Sequence, residues 1–171
     1  MKQKKVLLLG GSKQQIPSIK KAKELGLYTI TCDYLPNNPG HKLADEYHNV
    51  STTDKDAVLK LSRKLNIDGI VAYASDPAAP TAAYVAEKMG LPGNPYESVK
   101  ILTEKDLFRD FLQQHGLNCP KAKGYTSYED ALRDIEKFRF PVMVKPVDSS
   151  GSKGVVKIYD KDELKAAVEE A

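Results

Sequence analysis

The chain has 171 residues, 41% hydrophobic and 29% charged, with 26 basic and 23 acidic side chains and a net charge of +3. That is an ordinary globular make-up, long enough for one domain or two small ones and for a core that needs no covalent staples. The mild, well-mixed charge is too small to argue for nucleic acid by itself, so no nucleic-acid partner is expected, and two cysteines, Cys32 and Cys119, are too few for a disulfide framework or a cysteine metal cluster.

The apolar run Val6–Leu9 is too short for a secretory signal or a membrane span, and no later run approaches membrane length. The expected setting is a reducing, cytoplasmic one. In chain order, "KVLLLG" reads as a buried strand, closed by the turn Gly10-Gly11-Ser12. A helix from about Gln14 follows, with Pro17 tolerated in its first turn and Gly26 as its stop. "YTITCD" and "EYHNVS" are the second and third strands. Thr53 with Asp56 resembles a capping box for a helix carrying Ala57, Val58, Leu61 and Leu65. "GIVAYA" is a fourth strand, and Thr81 to Met89 a helix that Gly90 ends. This alternation predicts a parallel sheet with helices on both faces, whose ligands bind at the carboxyl ends of the strands. The residues there are Gly10, Gly11 and Ser12, then Asp33, then Ser75 and Asp76.

"GLPGNPYESV" marks a boundary near Gly93. Two helices follow, the second from about Glu104 to His115 with Leu107, Phe108, Phe111 and Leu112 on one stripe and Gly116 as its stop. After Pro120 the pattern predicts a strand "AKGYT", a helix Ser127 to Phe138 with Ser127 and Asp130 as a capping box, strands "PVMVKP" and "GVVKIY", and a helix from about Lys161. The last two strands read as a hairpin-type pair in a small α+β unit.

Two stretches carry candidate chemistry. A glycine turn between a buried strand and a helix offers backbone N–H groups to an anion, and Asp33 stands where a dinucleotide fold places its ribose acid. The full G-x-G-x-x-G is absent, however, because Ser12, Gln14 and Gln15 interrupt it, so a tight closing turn is the plainer reading. Asp33 and Asp76 read equally well as carboxylates that cap local N–H groups. The second stretch is "DSSGSKG". It is no P-loop, since Lys153 is followed by Gly154 and a strand rather than by Ser/Thr and a helix. Its small residues still allow several N–H groups to converge on a phosphate, with Lys145 as a fixed cation and Lys153 as a mobile one. The alternative is an exposed hairpin turn beside an ordinary edge lysine.

Taken in order, "GLPGNP", "KDLFRDFLQQHGLNCP" and "FPVMVKPVDSSGSKGV" resemble the ATP-grasp superfamily over essentially the whole chain, nearest to its carbamoyl-phosphate synthase, biotin carboxylase and phosphoribosylglycinamide branch. The resemblance implies an α/β architecture: a Rossmann-like, parallel-sheet pre-ATP-grasp domain over residues 1–93, linker helices over 94–119, and a partial α+β ATP-grasp lid over 120–171. It implies that Lys105 contacts nucleotide phosphate and that Lys145 reaches the α-phosphate and adenine side. Ser149, Ser150, Gly151, Ser152, Lys153 and Gly154 would form the loop over the β- and γ-phosphates. Gly10, Gly11, Ser12, Asp33, Ser75 and Asp76 fall in the part that helps hold a small carboxylate substrate. The implied chemistry is ATP- and Mg²⁺-dependent, ADP-forming ligation through an acyl phosphate.

The family continues with a second α+β unit that supplies the Mg²⁺ ligands and a catalytic arginine, none of which can be placed before Ala171. Glu169 and Glu170 read as solvated surface. The resulting expectation is an amino-terminal portion that binds nucleotide weakly and does not turn over alone. The resemblance also leaves a homodimer open. Two alternatives stand beside it: a nicotinamide-dependent Rossmann protein, resting on the first βαβ unit and Asp33, and a non-catalytic scaffold module.

Overall fold

The computed structural model describes residues 2–149 and 151–171. Its contacts fall into two units, Met1–Thr103 and Glu104–Ala171.

In the first unit β1 (Lys5–Leu9), β2 (Tyr28–Cys32), β3 (Glu46–His48) and β4 (Gly69–Val71) alternate with α1 (Ile16–Glu24), α2 (Lys55–Leu65), α3 (Ala79–Met89) and α4 (Tyr96–Thr103). The strands form one sheet in the order β3-β2-β1-β4, and every pairing is parallel. Side chains of a strand point alternately to its two faces, and β1 is apolar on both. Val6 and Leu8 pack with Ile19 and Ala22 of α1. Leu7 and Leu9 pack with Ile30, Val58, Leu61 and Val85 on the face that carries α2 and α3. Burying Leu7 and Leu9 completely contributes about 1.5–3 kcal/mol each relative to exposure. The expected doubly covered parallel sheet is therefore present.

The second unit contains α5 (Lys105–Gln114), α6 (Tyr128–Asp134), β5 (Val142–Val144), β6 (Val156–Ile158) and α7 (Leu164–Glu170). β5 and β6 pair antiparallel, with Val142 opposite Ile158 and Val144 opposite Val156. Those four residues face Ala131, Ile135, Leu164 and Ala167 of the flanking helical segments, so the hairpin rests on a small core of its own.

Three local expectations change. The amino-terminal cap of α2 is Asp54, whose carboxylate accepts from Ala57 N at 3.0 Å. Thr53 instead shares its hydroxyl with Ser51 at 3.0 Å, so the Thr53–Asp56 box does not form. The segment "AKGYT" is not a strand. Its contacts are to helices: Gln113 Nε2 donates to Ala122 O at 3.2 Å, and Lys123 and Tyr125 both donate to Asp134. Finally, the helix that Ser127 caps is α-helical only to Asp134 and closes in a 3₁₀ turn, Ile135–Lys137, while α7 starts at Leu164 rather than near Lys161.

Candidate functional site

At the carboxyl edge of the parallel sheet, the chain leaves β1 through Gly10, whose φ of +98° favours glycine and whose N–H donates to Cys32 O at 2.8 Å. Gly11 is glycine for a different reason. A Cβ placed there would lie 2.1 Å from Cε1 of His41, and one on Gly40 would lie 2.6 Å from Gly11 O. The two glycines let the turn after β1 and the 3₁₀ turn Pro39–Lys42 touch backbone to backbone, with Gly40 N donating to Gly11 O at 2.7 Å. His41 is buried in that contact. Its Nδ1 lies 3.0 Å from Thr31 Oγ1 and its Nε2 3.1 Å from Leu35 O. The ring rests on Tyr47 at a centroid distance of 4.1 Å.

Ser12 meets its partner inside the chain. Buried Gln15 accepts through Oε1 from Ser12 N at 3.0 Å and from Ser12 Oγ at 2.6 Å. The Nε2 of the same amide donates to Tyr73 O at 3.0 Å and Ala74 O at 3.3 Å. Gln15 thus joins the loop after β1 to the loop after β4. Ser75 opens the 3₁₀ turn Asp76–Ala78, and the Asp76 side chain is exposed. Asp33 is buried, and its carboxylate accepts from Leu35 N at 3.1 Å and Asn38 Nδ2 at 2.8 Å, which is the local capping role open to it from sequence. Next to it, burial and then the charge of Asp33 push the Cys32 thiol up to about 12. Gln15 and His41 were not singled out from sequence. Their only sequence signals are a Gln three residues after a turn serine and a His beside a glycine, and both patterns are common.

In the second unit, Lys145 follows β5 directly and is exposed. Lys105 is the first residue of α5. Its backbone N donates to Val147 O at 3.1 Å, and its Nζ donates to Val147 O at 3.4 Å and also to Ser149 O. Ser149 Oγ donates across the loop to Lys153 O at 3.2 Å. Gly151, Ser152 and Gly154 have φ of +68°, +60° and +63°, in the left-handed region that favours glycine. Gly154 also lies close to Pro146, since a Cβ there would sit 3.0 Å from Pro146 Cγ. Lys153 is exposed, as is Asp148. Ser150 lies outside the described residues. The fold therefore brings Lys105 onto the loop that holds Ser149 and Lys153, although 44 residues separate Lys105 from Ser149.

An open cleft of about 330 Å³ contains none of these residues and is lined by Lys123, Tyr125, Thr126, Asp130, Arg133 and Asp134. Its charges are paired within it: Lys123, Lys137 and the Tyr125 hydroxyl converge on Asp134, and Arg133 bonds Asp130. The ammonium groups of Lys123 and Lys137 hold the Asp134 carboxyl well below the usual carboxylate range. Among the described residues no group of three or more His, Cys, Asp or Glu could hold a metal ion. Nor is any helix among them long and apolar enough to cross a membrane.

The family described as "D-ala D-ala ligase C-terminus" matches residues 111–171. The formate-dependent phosphoribosylglycinamide formyltransferase of Prochlorococcus marinus is 31% identical over 171 residues, an alignment that takes in 98% of this chain and 43% of that protein. The chain is an ATP-grasp relative. Other ATP-grasp proteins agree. The carbamoyl phosphate synthase large chain of Clostridium beijerinckii is 27% identical over 160 residues, covering 90% of this chain and 15% of that protein. The N5-carboxyaminoimidazole synthetase of Staphylococcus aureus, solved with ADP, shares the fold at a TM-score of 0.77 and 20% identity, covering 99% of this chain and 45% of that one. The chain thus spans less than half the length of each of these three proteins.

Proposed function

We propose that this chain supplies the nucleotide-phosphate loop and the companion sheet unit of an ATP-dependent, ADP-forming carboxylate ligase. In this reading residues 1–93 are the pre-ATP-grasp domain, 94–119 the linker helices and 120–171 part of the lid. ATP supplies the phosphoryl group: a substrate carboxylate oxygen takes the γ-phosphoryl, ADP leaves, and a nucleophile then displaces phosphate from the acyl phosphate. Phosphoryl transfer depends mainly on positioning and on neutralising charge. Lys105 and Lys145 are the fixed cations for that work, Lys153 is a mobile one, and the backbone of Ser149–Gly154 is the cradle. The turn Gly10–Ser12, with Asp33, Ser75 and Asp76, borders the carboxylate substrate.

The observation that carries the reading is the meeting of Lys105 with the loop after β5, which places a cation at a backbone turn built from left-handed residues. No acidic cluster among the described residues fits Mg²⁺, so no step is assigned to a protein-bound metal. The nicotinamide alternative has less support. The Ser12 N–H and hydroxyl that would meet a pyrophosphate are bonded to Gln15, and the Asp33 carboxylate is held by its own turn.

Calorimetric titration separates the readings. MgATP is expected to bind the wild type and to lose at least tenfold in affinity in the Lys105→Ala, Lys145→Ala double variant, since a charge-assisted contact is worth about 1.5–3 kcal/mol. Binding of NAD(H) that the double variant leaves unchanged would favour the dinucleotide reading. Binding of neither ligand would favour a scaffold.

A further inference from the structure

In the loops after β2 and β4, three large apolar side chains stand exposed: Tyr34 at 62%, Leu35 at 47% and Tyr73 at 46%. A single exposed apolar residue needs no explanation, but a group at one edge does. Their backbone is held while their side chains are free. His41 Nε2 meets Leu35 O at 3.1 Å and Gly40 N donates to Gly11 O at 2.7 Å, so the loop after β2 is fixed to the turn after β1. Gln15 Nε2 donates to Tyr73 O at 3.0 Å and fixes the loop after β4 to that same turn. Ala74, next in the loop, has a φ of +51°, a costly conformation for a residue with a side chain, kept where the surroundings impose it. With the strands ordered β2-β1-β4, Tyr34 and Leu35 flank the small residues Gly10, Gly11 and Ser12 on one side and Tyr73 flanks them on the other.

The charges at this edge favour one chemistry. Arg63 is the only arginine before Thr103. It sits in the last turn of α2, and α2 ends at the opposite edge of the sheet. No guanidinium fork therefore faces a phosphate here. The N–H groups of Gly10 and Ser12 are already bonded, to Cys32 O and Gln15 Oε1. Lys13 and Lys42, both exposed, are single point charges that suffice for a carboxylate. Asp33 is held by its own turn, whereas Asp76, three residues beyond Tyr73, keeps an exposed carboxylate. That anion suits an ammonium group.

We propose that this edge takes an apolar or aromatic α-amino acid rather than a phosphorylated molecule. Its side chain lies between Tyr34 and Leu35 on one side and Tyr73 on the other, and its ammonium group meets Asp76. Calling that amino acid the carboxylate substrate rests on the ligase reading above.

Amide chemical-shift mapping of the whole chain with L-phenylalanine at millimolar concentration tests the site. Two probes share its skeleton in part: hydrocinnamate lacks the ammonium group, and O-phosphoserine replaces the ring with a phosphate. L-Phenylalanine is expected to shift the amides of Tyr34, Leu35 and Tyr73–Asp76, and both other probes to bind about tenfold more weakly. Tyr73→Ala should weaken L-phenylalanine about tenfold through the lost aromatic contact. Asp76→Asn should weaken it by a similar factor and leave hydrocinnamate unchanged. Both side chains are exposed, so both variants should melt as the wild type does. Tyr159→Ala, which removes an equally exposed aromatic (64%) in the second unit, should bind as the wild type does. Absent or scattered shifts would overturn the proposal, as would O-phosphoserine binding as tightly as L-phenylalanine. So would equal weakening of L-phenylalanine and hydrocinnamate in Asp76→Asn. Shifts at Tyr34 and Tyr73 that follow protein concentration without ligand would assign the patch to a second copy and overturn it too. MgADP titrated into the same samples keeps the two ideas apart. MgADP binding without L-phenylalanine binding sinks the amino-acid site and leaves the ligase reading standing. L-Phenylalanine binding without MgADP binding supports the site and sinks the ligase reading.

Discussion

Gly11 and Gly40 show how much a missing side chain can decide. Gly11 is not among the residues of positive φ, so its backbone would accept another residue, but its space would not: the His41 ring fills it. Gly11→Ala should therefore lower stability by about 1–3 kcal/mol through overpacking, read as a fall in the urea midpoint. In a His41→Ala background the same substitution should cost much less, because the obstructing ring is gone. Equal costs in both backgrounds would mean that the ring is not what excludes the methyl group. This contact was not legible in the sequence. Glycine at a strand-to-helix turn signals backbone freedom or close approach, and nothing local says that the approaching group comes from 30 residues downstream. Gln15 poses the same difficulty. Its partners at Tyr73 and Ala74 lie 58 and 59 residues away, and only the parallel order β2-β1-β4 brings the two loops to one edge.

Single elements were easier to read. β1 holds a four-residue apolar run, Val6–Leu9, whose two faces are both buried, and such a run fits few places other than the middle of a covered sheet. Helix ends were legible where glycine stops them, as at Gly26, Gly90 and Gly116, all of positive φ. The α2 start was harder, because Thr53 and Asp54 are adjacent and both are good caps. Asp54→Ala should cost about 1 kcal/mol, whereas Thr53→Ala should change stability by less than half of that. Thermal melts of the two single variants decide it, and a larger loss from Thr53→Ala would put the cap back where the sequence suggested. The segment Ala122–Thr126 misled for a related reason. Alternation of small residues with longer ones is a strand signal only where a neighbouring strand supplies a ladder, and here Lys123 and Tyr125 reach Asp134 instead.

At the scale of the whole molecule, the two units are built on different principles. The first is a sheet buried from both sides around fully enclosed side chains such as Leu7, Leu9, Ile19 and Ile30. The second rests on one hairpin and two short helices, and α5 has no buried residue. Each candidate function lies where its unit leaves backbone at the end of strands: the parallel sheet at the carboxyl ends of β1, β2 and β4, the hairpin at the connection between β5 and β6. The ordered set of motifs was enough to place the chain among ATP-grasp relatives, because it spans both units. The contact of Lys105 with the loop after β5 is the geometry on which the proposed nucleotide role rests. The most direct measurement of the central claim is amide chemical-shift mapping during titration with MgADP. The account predicts shifts concentrated at Lys105 and over Lys145–Gly154, with little change at the turn Gly10–Ser12. Shifts concentrated at Gly10–Gln15 and Asp33, with the loop after β5 unmoved, would contradict it.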